Sequence, residues 1–246
     1  MNNYYLSDAH CHYIDDKDLL ERIDKHIVSI ISLNSLEEIN NLLNKQVSQD
    51  IILSCGVHPW SVDKVSFEDM EKYMRDFEII GEIGMDSVWC DTSLKLQEEV
   101  FRKELALAQS LKKPVILHTK GQEKEIAKII AEYPNKYLIH WYSCDDYLDE
   151  YLKLDCYFSI GPDVFWNEAT REVARRAPLN RILSETDGLN AVKWAYDEAP
   201  IKKTPASITS EALKDVIHEI ASILKLTEAE CLQITYDNLV HGFLNK

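Results

Sequence analysis

The sequence predicts an α/β protein of the (β/α)8 TIM-barrel type, folded as a single domain over residues 1–246. Eight short apolar runs have the length of buried strands. Amphipathic segments with apolar residues three and four positions apart lie between them. Alternating strands and helices give a parallel sheet, and eight strands are the number that closes a barrel. An open, doubly wound sheet is the alternative with the same alternation.

The predicted elements follow one another without a linker or a repeat motif, so no domain boundary is expected. The predicted strands are Tyr5–His10, Ile27–Ser32, Ile51–Cys55, Ile79–Ile83, Pro114–His118, Tyr137–His140, Cys156–Ile160 and Arg181–Thr186. The clearest helical segments between them are Ser35–Lys45, Phe67–Phe77, Leu96–Leu111 and Glu123–Glu132, and residues 210–244 are predicted to form two more helices.

The composition is that of a globular protein with a strong acidic excess. Apolar residues make up 46% of the chain, which excludes global disorder, and 27 Lys plus Arg against 42 Asp plus Glu give a net charge of −15. Such a balance argues against binding nucleic acid or an anionic membrane by bulk charge alone. A nucleic-acid substrate would therefore require local cations or bound metal.

Cysteine usage and apolar patterning bear on the compartment. The six cysteines are scattered and include no Cys-x-x-Cys pair, so we expect free thiols in a reducing environment. The N-terminus has no apolar leader, and the chain has no run of apolar residues long enough to span a bilayer. We expect a cytoplasmic protein without a membrane partner.

Polar residues break the apolar pattern at the carboxyl ends of five predicted strands, where a barrel builds its active site. Side chains alternate along a strand, so His10 and His12 face the same way and Cys11 faces the opposite way, outside the barrel. Imidazole and carboxylate groups suit Zn²⁺, Mn²⁺ or a related ion. The other four strand ends carry Glu82 and Asp86 (strand four), His118 (strand five), His140 (strand six), and Glu185 and Asp187 (strand eight). Together they predict a metal centre.

These motifs, in this order, resemble those of the TatD-type metal-dependent deoxyribonucleases, a family of amidohydrolase-like barrels. The resemblance covers nearly the whole chain. It rests on Asp8-Ala9-His10-Cys11-His12, Gly56-Val57-His58-Pro59, Gly81-Glu82-Ile83-Gly84-Met85-Asp86, Gln97-x-x-x-Phe101, Pro114-Val115-Ile116-Leu117-His118, His140, Glu185-Thr186-Asp187, Asn238 and Phe243. The resemblance implies two divalent ions (Zn, Mn or Mg) with Glu82 bridging them. The implied ligands are His10, His12, Glu82, His118, His140 and Asp187.

The chain departs from the family where the family handles phosphate. Thr119-Lys120 replaces the family's Ser-Arg after the strand-five histidine, and lysine lacks the planar fork that holds phosphate bidentately. Trp141 follows His140 in place of a cysteine, Gly188-Leu189 replaces Ser-Pro, and the basic Arg-Gly-Lys segment is not recognisable. Metal-dependent hydrolysis is therefore a firmer expectation than DNA as the substrate.

The leading hypothesis is a two-metal hydrolase of phosphodiester bonds, with DNA ends or single strands as the expected substrate. Asp187 would accept the proton of the attacking water, and Glu82 would hold the ions. Two alternatives remain open: the same centre could hydrolyse an amide, a lactone or a small phosphoester, or an inactive barrel could bind metal or a partner. The expected substrate-binding residues are His58, Lys120, Asp86, Trp141 and Trp166.

Two features of the rim leave alternatives open. His58 could contact substrate or fix its loop by a hydrogen bond. All five tryptophans lie in segments that follow predicted strands, so we expect their indoles to surround the metals. These indoles either stack on bases or only cover the barrel top. Glu185 is expected to support the metal-binding residues rather than to bind metal itself.

Overall fold

The computed structural model describes residues 5–45 and 47–246. Its sheet contains eight parallel strands in the order β1 to β8, which confirms the predicted barrel architecture. The strands are β1 (Ser7–His12), β2 (Val28–Leu33), β3 (Ile51–Cys55), β4 (Ile79–Asp86), β5 (Val115–Lys120), β6 (Tyr137–Ile139), β7 (Tyr157–Ile160) and β8 (Ile182–Ser184).

Helices connect successive strands and complete the outer layer. They are α1 (Asp16–Asp24), α2 (Leu36–Leu43), α3 (Phe67–Asp76), α4 (Leu94–Leu111), α5 (Glu123–Ala131), α6 (Leu148–Lys153), α7 (Glu168–Arg176), α8 (Leu189–Asp197), α9 (Thr209–Leu224) and α10 (Glu228–Asp237). The described residues also form three short 3-10 helices (Pro59–Ser61, Pro162–Phe165 and Leu179–Arg181) and a π-helical segment (Asn238–Phe243). Among the described residues, no helix combines the length and the apolar character that crossing a membrane requires.

Strand alternation divides the core into two layers. Inside the barrel, Ile30, Ile52, Ile116 and similar residues form one buried cluster, and Leu239 and Phe243 of the π-helical segment pack against it. The neighbouring positions face outwards and pack against the helices in a larger cluster. This periodicity of two carries the polar residues at the strand ends to the inner side of the barrel mouth.

The seam between β8 and β1 closes through individual hydrogen bonds. The Ser184 hydroxyl donates to the carbonyl of Ser7 at 2.8 Å, and the Asp187 amide donates to the carbonyl of His10 at 3.1 Å. Asp8 accepts from the Thr186 amide at 2.8 Å and from the Thr186 hydroxyl at 2.6 Å. The residues that follow β8 are therefore fixed directly beside β1.

Candidate metal centre

The carboxyl end of β1 carries two imidazoles that face the same two carboxylates. Nε2 of His10 lies 3.4 Å from Oε2 of Glu82 and 3.3 Å from Oδ1 of Asp187. The corresponding distances for Nε2 of His12 are 3.2 Å and 3.4 Å. Cys11, between them, faces away and donates its thiol proton to the carbonyl of Ile30. The strand alternation of the sequence thus places both histidines on one face.

The second oxygen of Glu82 faces a different set of imidazoles. Oε1 lies 2.8 Å from Nδ1 of His118, 2.9 Å from Nε2 of His140 and 3.4 Å from Nε2 of His58. The carboxylate therefore lies between two groups of nitrogen donors, one at each oxygen. Such an arrangement would suit a carboxylate that holds a cation at each oxygen.

Close packing of β4 against β5 brings Glu82 and His118 together. Gly84 pairs in register with His118, and a Cβ at Gly84 would lie 2.0 Å from the His118 carbonyl oxygen. Gly84 also has a φ of +148°, a conformation that favours glycine. Any larger residue here would separate the two strands that hold the site.

Several buried polar atoms of this cluster lack a hydrogen-bond partner. They include Nε2 of His10, Oε2 of Glu82 and Oδ1 of Asp187. Buried polar atoms in folded proteins are normally paired, and those left unpaired often belong to an ion site. Three sets of donor atoms lie close enough together to hold an ion: His10–His12–Glu82, His10–His140–Asp187 and His58–Glu82–His118. The described residues therefore fit divalent cations.

The electrostatics of the cluster favour positive charge. Burial and the nearby His140 oppose protonation of His10, but the carboxylates of Glu82 and Asp187 outweigh them and raise the pKa of His10 to about 9. Burial also disfavours an ionised Glu82, yet the surrounding imidazoles hold its pKa well below the usual range. An ionised carboxylate in a buried site attracts cations strongly.

A further layer of contacts holds the imidazoles. The Ser32 hydroxyl lies 3.2 Å from Nδ1 of His10. Oε1 of Glu185 lies 3.6 Å from Nδ1 of His140, and Oε2 of Glu185 accepts from the Ser159 hydroxyl at 2.5 Å. Ser32 thus orients the ring of His10, and the carboxylate of Glu185 stands beside the ring of His140, positions that hydroxyls and carboxylates often take around metal sites.

Asp86 is fully buried at the end of β4, and protein donors surround its carboxylate. It accepts from Nε1 of Trp60 at 2.6 Å and from the amides of Val88 and Trp89 at 2.7 and 2.8 Å, and it lies 2.9 Å from Nε2 of His118. Asp86 thus holds His118 and the loop after β4 in place. The structure offers no free carboxylate oxygen of Asp86 to a substrate.

His58 makes the loop-fixing hydrogen bond that the sequence left open, and it also faces Glu82. Its Nδ1 accepts from the Trp60 amide at 3.2 Å, which begins the 3-10 helix after β3, and its Nε2 faces Glu82. His58 was not among the metal-binding residues expected from the sequence, although the Gly56-Val57-His58-Pro59 motif at a strand end was the available signal. The residue now joins the candidate ligands.

Glu104 is a buried acid that the sequence did not predict. It lies on the inner face of α4, where Oε1 accepts from the Val57 amide at 2.6 Å and Oε2 has no partner. It supports the turn that carries His58. An amphipathic helix pattern alone assigns a glutamate to solvent, so no sequence signal marked this one.

A cavity of about 600 Å³ opens beside His118, His140 and Asp187. All five tryptophans line it, together with Lys120, whose ammonium group lies 3.2 Å from the Ser143 hydroxyl. The indoles thus collect around the candidate metal centre, as the sequence indicated. Trp194, however, belongs to α8 and Trp60 to a 3-10 helix, so the tryptophans are not all in loops.

Comparisons with known proteins agree with this architecture. The profile of the family described as TatD related DNase matches residues 7–243. An uncharacterized metal-dependent hydrolase of Methanocaldococcus jannaschii is 33% identical over 261 aligned positions, which cover 99% of this chain and 98% of that protein. An uncharacterized metal-dependent hydrolase of Escherichia coli K12 is 24% identical and covers 97% of this chain and 96% of its own length.

Solved structures show the same fold at lower identity. The crystal structure of a TatD homologue from Escherichia coli K12 superposes with a TM-score of 0.78 at 20% identity, covering 98% of each chain. A TatD family hydrolase from Entamoeba histolytica gives a TM-score of 0.75 at 17% identity, covering 99% of each chain.

Proposed function

The chain belongs to the TatD related DNase family of metal-dependent hydrolases, and on that premise we propose that it hydrolyses phosphodiester bonds, with the ends or single strands of DNA as substrate. One observation carries the proposal. The two oxygens of Glu82 face two separate sets of imidazoles, as a pair of divalent cations would require. Paired cations are common in enzymes that cleave phosphodiesters.

We assign the metal-binding role to His10, His12, His58, Glu82, His118, His140 and Asp187. Divalent ions, when bound, supply Lewis acidity: they lower the pKa of a water and offset charge on the phosphoryl oxygens. The mixed imidazole and carboxylate donors suit Zn²⁺ or Mn²⁺ better than Mg²⁺, which prefers oxygen ligands.

The protein's own groups complete the chemistry. Asp187 stands at the barrel mouth, partly open to the cavity, and its carboxylate accepts the proton of the attacking water. Lys120, on the cavity wall, offsets charge on the phosphate that enters. Asp86 keeps His118 oriented, and Glu185 places a carboxylate beside His140.

A second candidate function has one observation in its favour. Lys120 is the one lysine or arginine that lines the cavity in the part of the chain that the structure describes, beside the acids Glu123, Asp163 and Asp187. A small substrate with a single phosphoester, or an uncharged amide or lactone, requires no further cations. The same metal-binding residues would serve this chemistry.

The test is incubation of metal-reconstituted protein with labelled single- and double-stranded DNA, beside a panel of nitrophenyl phosphoesters, lactones and peptides. We expect release of nucleotides from DNA, fastest from single strands, and none after chelation. Turnover of only the uncharged compounds would replace the phosphodiesterase assignment by the second candidate. The Asp187→Asn protein is the control for a contaminating nuclease.

A further inference from the structure

The cavity beside the candidate metal centre is built from indoles and polar side chains rather than aliphatic ones. Ala191 is the one aliphatic residue of its lining within residues 5–45 and 47–246. Thr119, Ser143 and Asn167 add hydrogen-bonding groups to the walls. A site for an alkyl chain would present leucine, isoleucine or valine, whereas flat aromatic faces with polar neighbours suit a planar heteroaromatic ring with polar edges.

Three of the indoles form one contact group, which we call the tryptophan cluster: Trp89, Trp141 and Trp194. The ring centroids of Trp89 and Trp194 are 5.7 Å apart at an interplanar angle of 88°, and those of Trp141 and Trp194 are 5.9 Å apart at 69°. Edge-to-face contacts cover a ring edge on one partner and leave other faces open to stacking. Trp89 and Trp194 are 52% and 41% exposed, so such faces are available.

The walls are also held in place before any ligand arrives. Trp141 lies against Gly161, where an added Cβ would approach the indole ring atoms to 2.5 Å. Nε1 of Trp166 donates to the carbonyl of Ala195 at 3.0 Å, which joins the segment after β7 to α8. Fixed aromatic walls reduce the entropy lost on binding.

The cavity walls offer few cations to a long polyanion. Away from His118, His140 and Asp187 of the candidate metal centre, the described lining residues include the acids Glu123 and Asp163 and one lysine, Lys120. These walls therefore compensate the charge of a phosphate only beside Lys120 and the metal centre. Stacking of a base on an indole requires no cation and tolerates every base.

We propose that the cavity is a subsite for a single unstacked nucleobase, which stacks on the tryptophan cluster, and that this stacking rather than backbone charge supplies most of the substrate affinity. The proposal rests on the proposed function for its choice of a nucleic-acid substrate. Base binding itself involves neither the metals nor the scissile phosphate.

The first experiment uses metal-free protein and follows the five indole N–H signals in ¹⁵N–¹H spectra during titration with deoxyguanosine, deoxyguanosine 5′-monophosphate or deoxyribose 5-phosphate. We expect the nucleoside and the nucleotide to shift the signals of the tryptophan cluster and the sugar phosphate to leave them unchanged. Stronger binding of the sugar phosphate than of the nucleoside, or no shift with the nucleoside, would overturn the proposal.

Matched variants assign the effect to stacking. Trp194→Ala should raise the Kd for deoxyguanosine about 5- to 150-fold, the range that corresponds to one base–aromatic stack. Trp194→Phe keeps an aromatic face and should retain most of the affinity. Leu179→Ala removes a similarly exposed apolar side chain outside the cavity and should change nothing. An unchanged Kd in Trp194→Ala, with a native circular dichroism spectrum, contradicts the proposal.

The metal-loaded protein separates this proposal from the proposed function. If one or two phosphates are contacted, the logarithm of 1/KM for single-stranded DNA should fall with the logarithm of salt concentration at a slope of about −0.7 to −1.4. A slope steeper than about −3 would mean backbone binding and would overturn the proposal. Nucleoside binding without phosphodiester hydrolysis would remove the proposed function and leave the base subsite standing.

Discussion

The carboxylate of Asp8 and the guanidinium of Arg22 form an ion pair, with 2.8 Å between Oδ2 and Nη1, in which neither side chain is exposed to solvent. Arg22 also donates to Asp18 at 2.8 Å and to the Ser29 hydroxyl at 3.0 Å. Asp8 in turn binds Thr186 beyond β8. One arginine of α1 therefore orders the group that joins the first and last strands of the barrel.

Replacing Arg22 by methionine should destabilise the protein by about 3–5 kcal/mol, because the change leaves the buried Asp8 charge without its partner. Urea unfolding followed by circular dichroism measures this loss. Arg75→Gln is the matched control, since Arg75 pairs with Glu71 at the surface and such pairs contribute about 0–1 kcal/mol. Equal losses in the two variants would contradict the role assigned to Arg22.

Glu104→Gln should change how stability depends on pH. Burial raises the pKa of Glu104 well above the ordinary value of 4.5, although the Val57 amide opposes the shift. Above the ordinary pKa of 4.5, the unfolded chain has released this proton, whereas the folded chain keeps it. The free energy of unfolding therefore falls by about 1.4 kcal/mol per pH unit until the pH reaches the folded pKa. Glutamine keeps the acceptor for Val57 and removes this loss.

We therefore expect Glu104→Gln to melt at a higher temperature than the wild type at pH 8, while the two differ little near pH 4. Differential scanning calorimetry from pH 4 to 9 gives the comparison. Glu99→Gln, on the exposed side of the same helix α4, should follow the wild-type profile. Parallel curves for wild type and Glu104→Gln would show that Glu104 is ionised when folded.

Asp187→Asn should lower turnover at least about 100-fold, because asparagine cannot accept the proton of the attacking water and is a weaker metal ligand. Steady-state assays at saturating metal, with the phosphodiester that proves to be cleaved, measure the effect. Asp197→Asn, at the exposed end of α8, should retain wild-type turnover. Wild-type rates in Asp187→Asn would remove this residue from the reaction.

Metal binding should stabilise the fold through Glu82. Chelated protein that takes up a divalent ion at 100 times its Kd should gain about 2.7 kcal/mol in unfolding free energy. Glu82→Gln removes the charge that both groups of histidines face, so it should lose most of this gain and both ions. Thermal melts and elemental analysis measure the two effects. A full gain in Glu82→Gln would mean that the ions bind elsewhere.

The sequence predicted those parts of the site that depend on local periodicity. Alternation along β1 places His10 and His12 on one face, and Glu82, His118 and His140 sit at successive strand ends on the same rim. The other contacts that hold the site depend on residues that are distant from one another in sequence. From the sequence alone, Arg22 resembles a polar position on the exposed face of an amphipathic helix. Only the structure shows that it forms a buried ion pair with Asp8. Neither composition nor spacing identifies such a pair.

Residues with two contacts were the hardest to assign from sequence. His58 binds its own loop and also faces Glu82, and a strand-end motif does not distinguish these contacts. Asp86 was expected to contact substrate because it lies at the rim. Its carboxylate is instead buried, in part because Trp60, from the segment after β3, donates a hydrogen bond to it. Such assignments require the packing of loops, which periodicity does not give.

The seam between β8 and β1 also determines when the site can exist during synthesis. Asp187 reaches His10 only after the sheet has closed, and the hydrogen bonds between Asp8 and Thr186 join residues 178 positions apart. A nascent chain that still lacks β8 carries His10, His12 and Glu82 but not the last carboxylate. The full set of candidate metal-binding residues therefore comes together only in a chain whose last strand has joined the first.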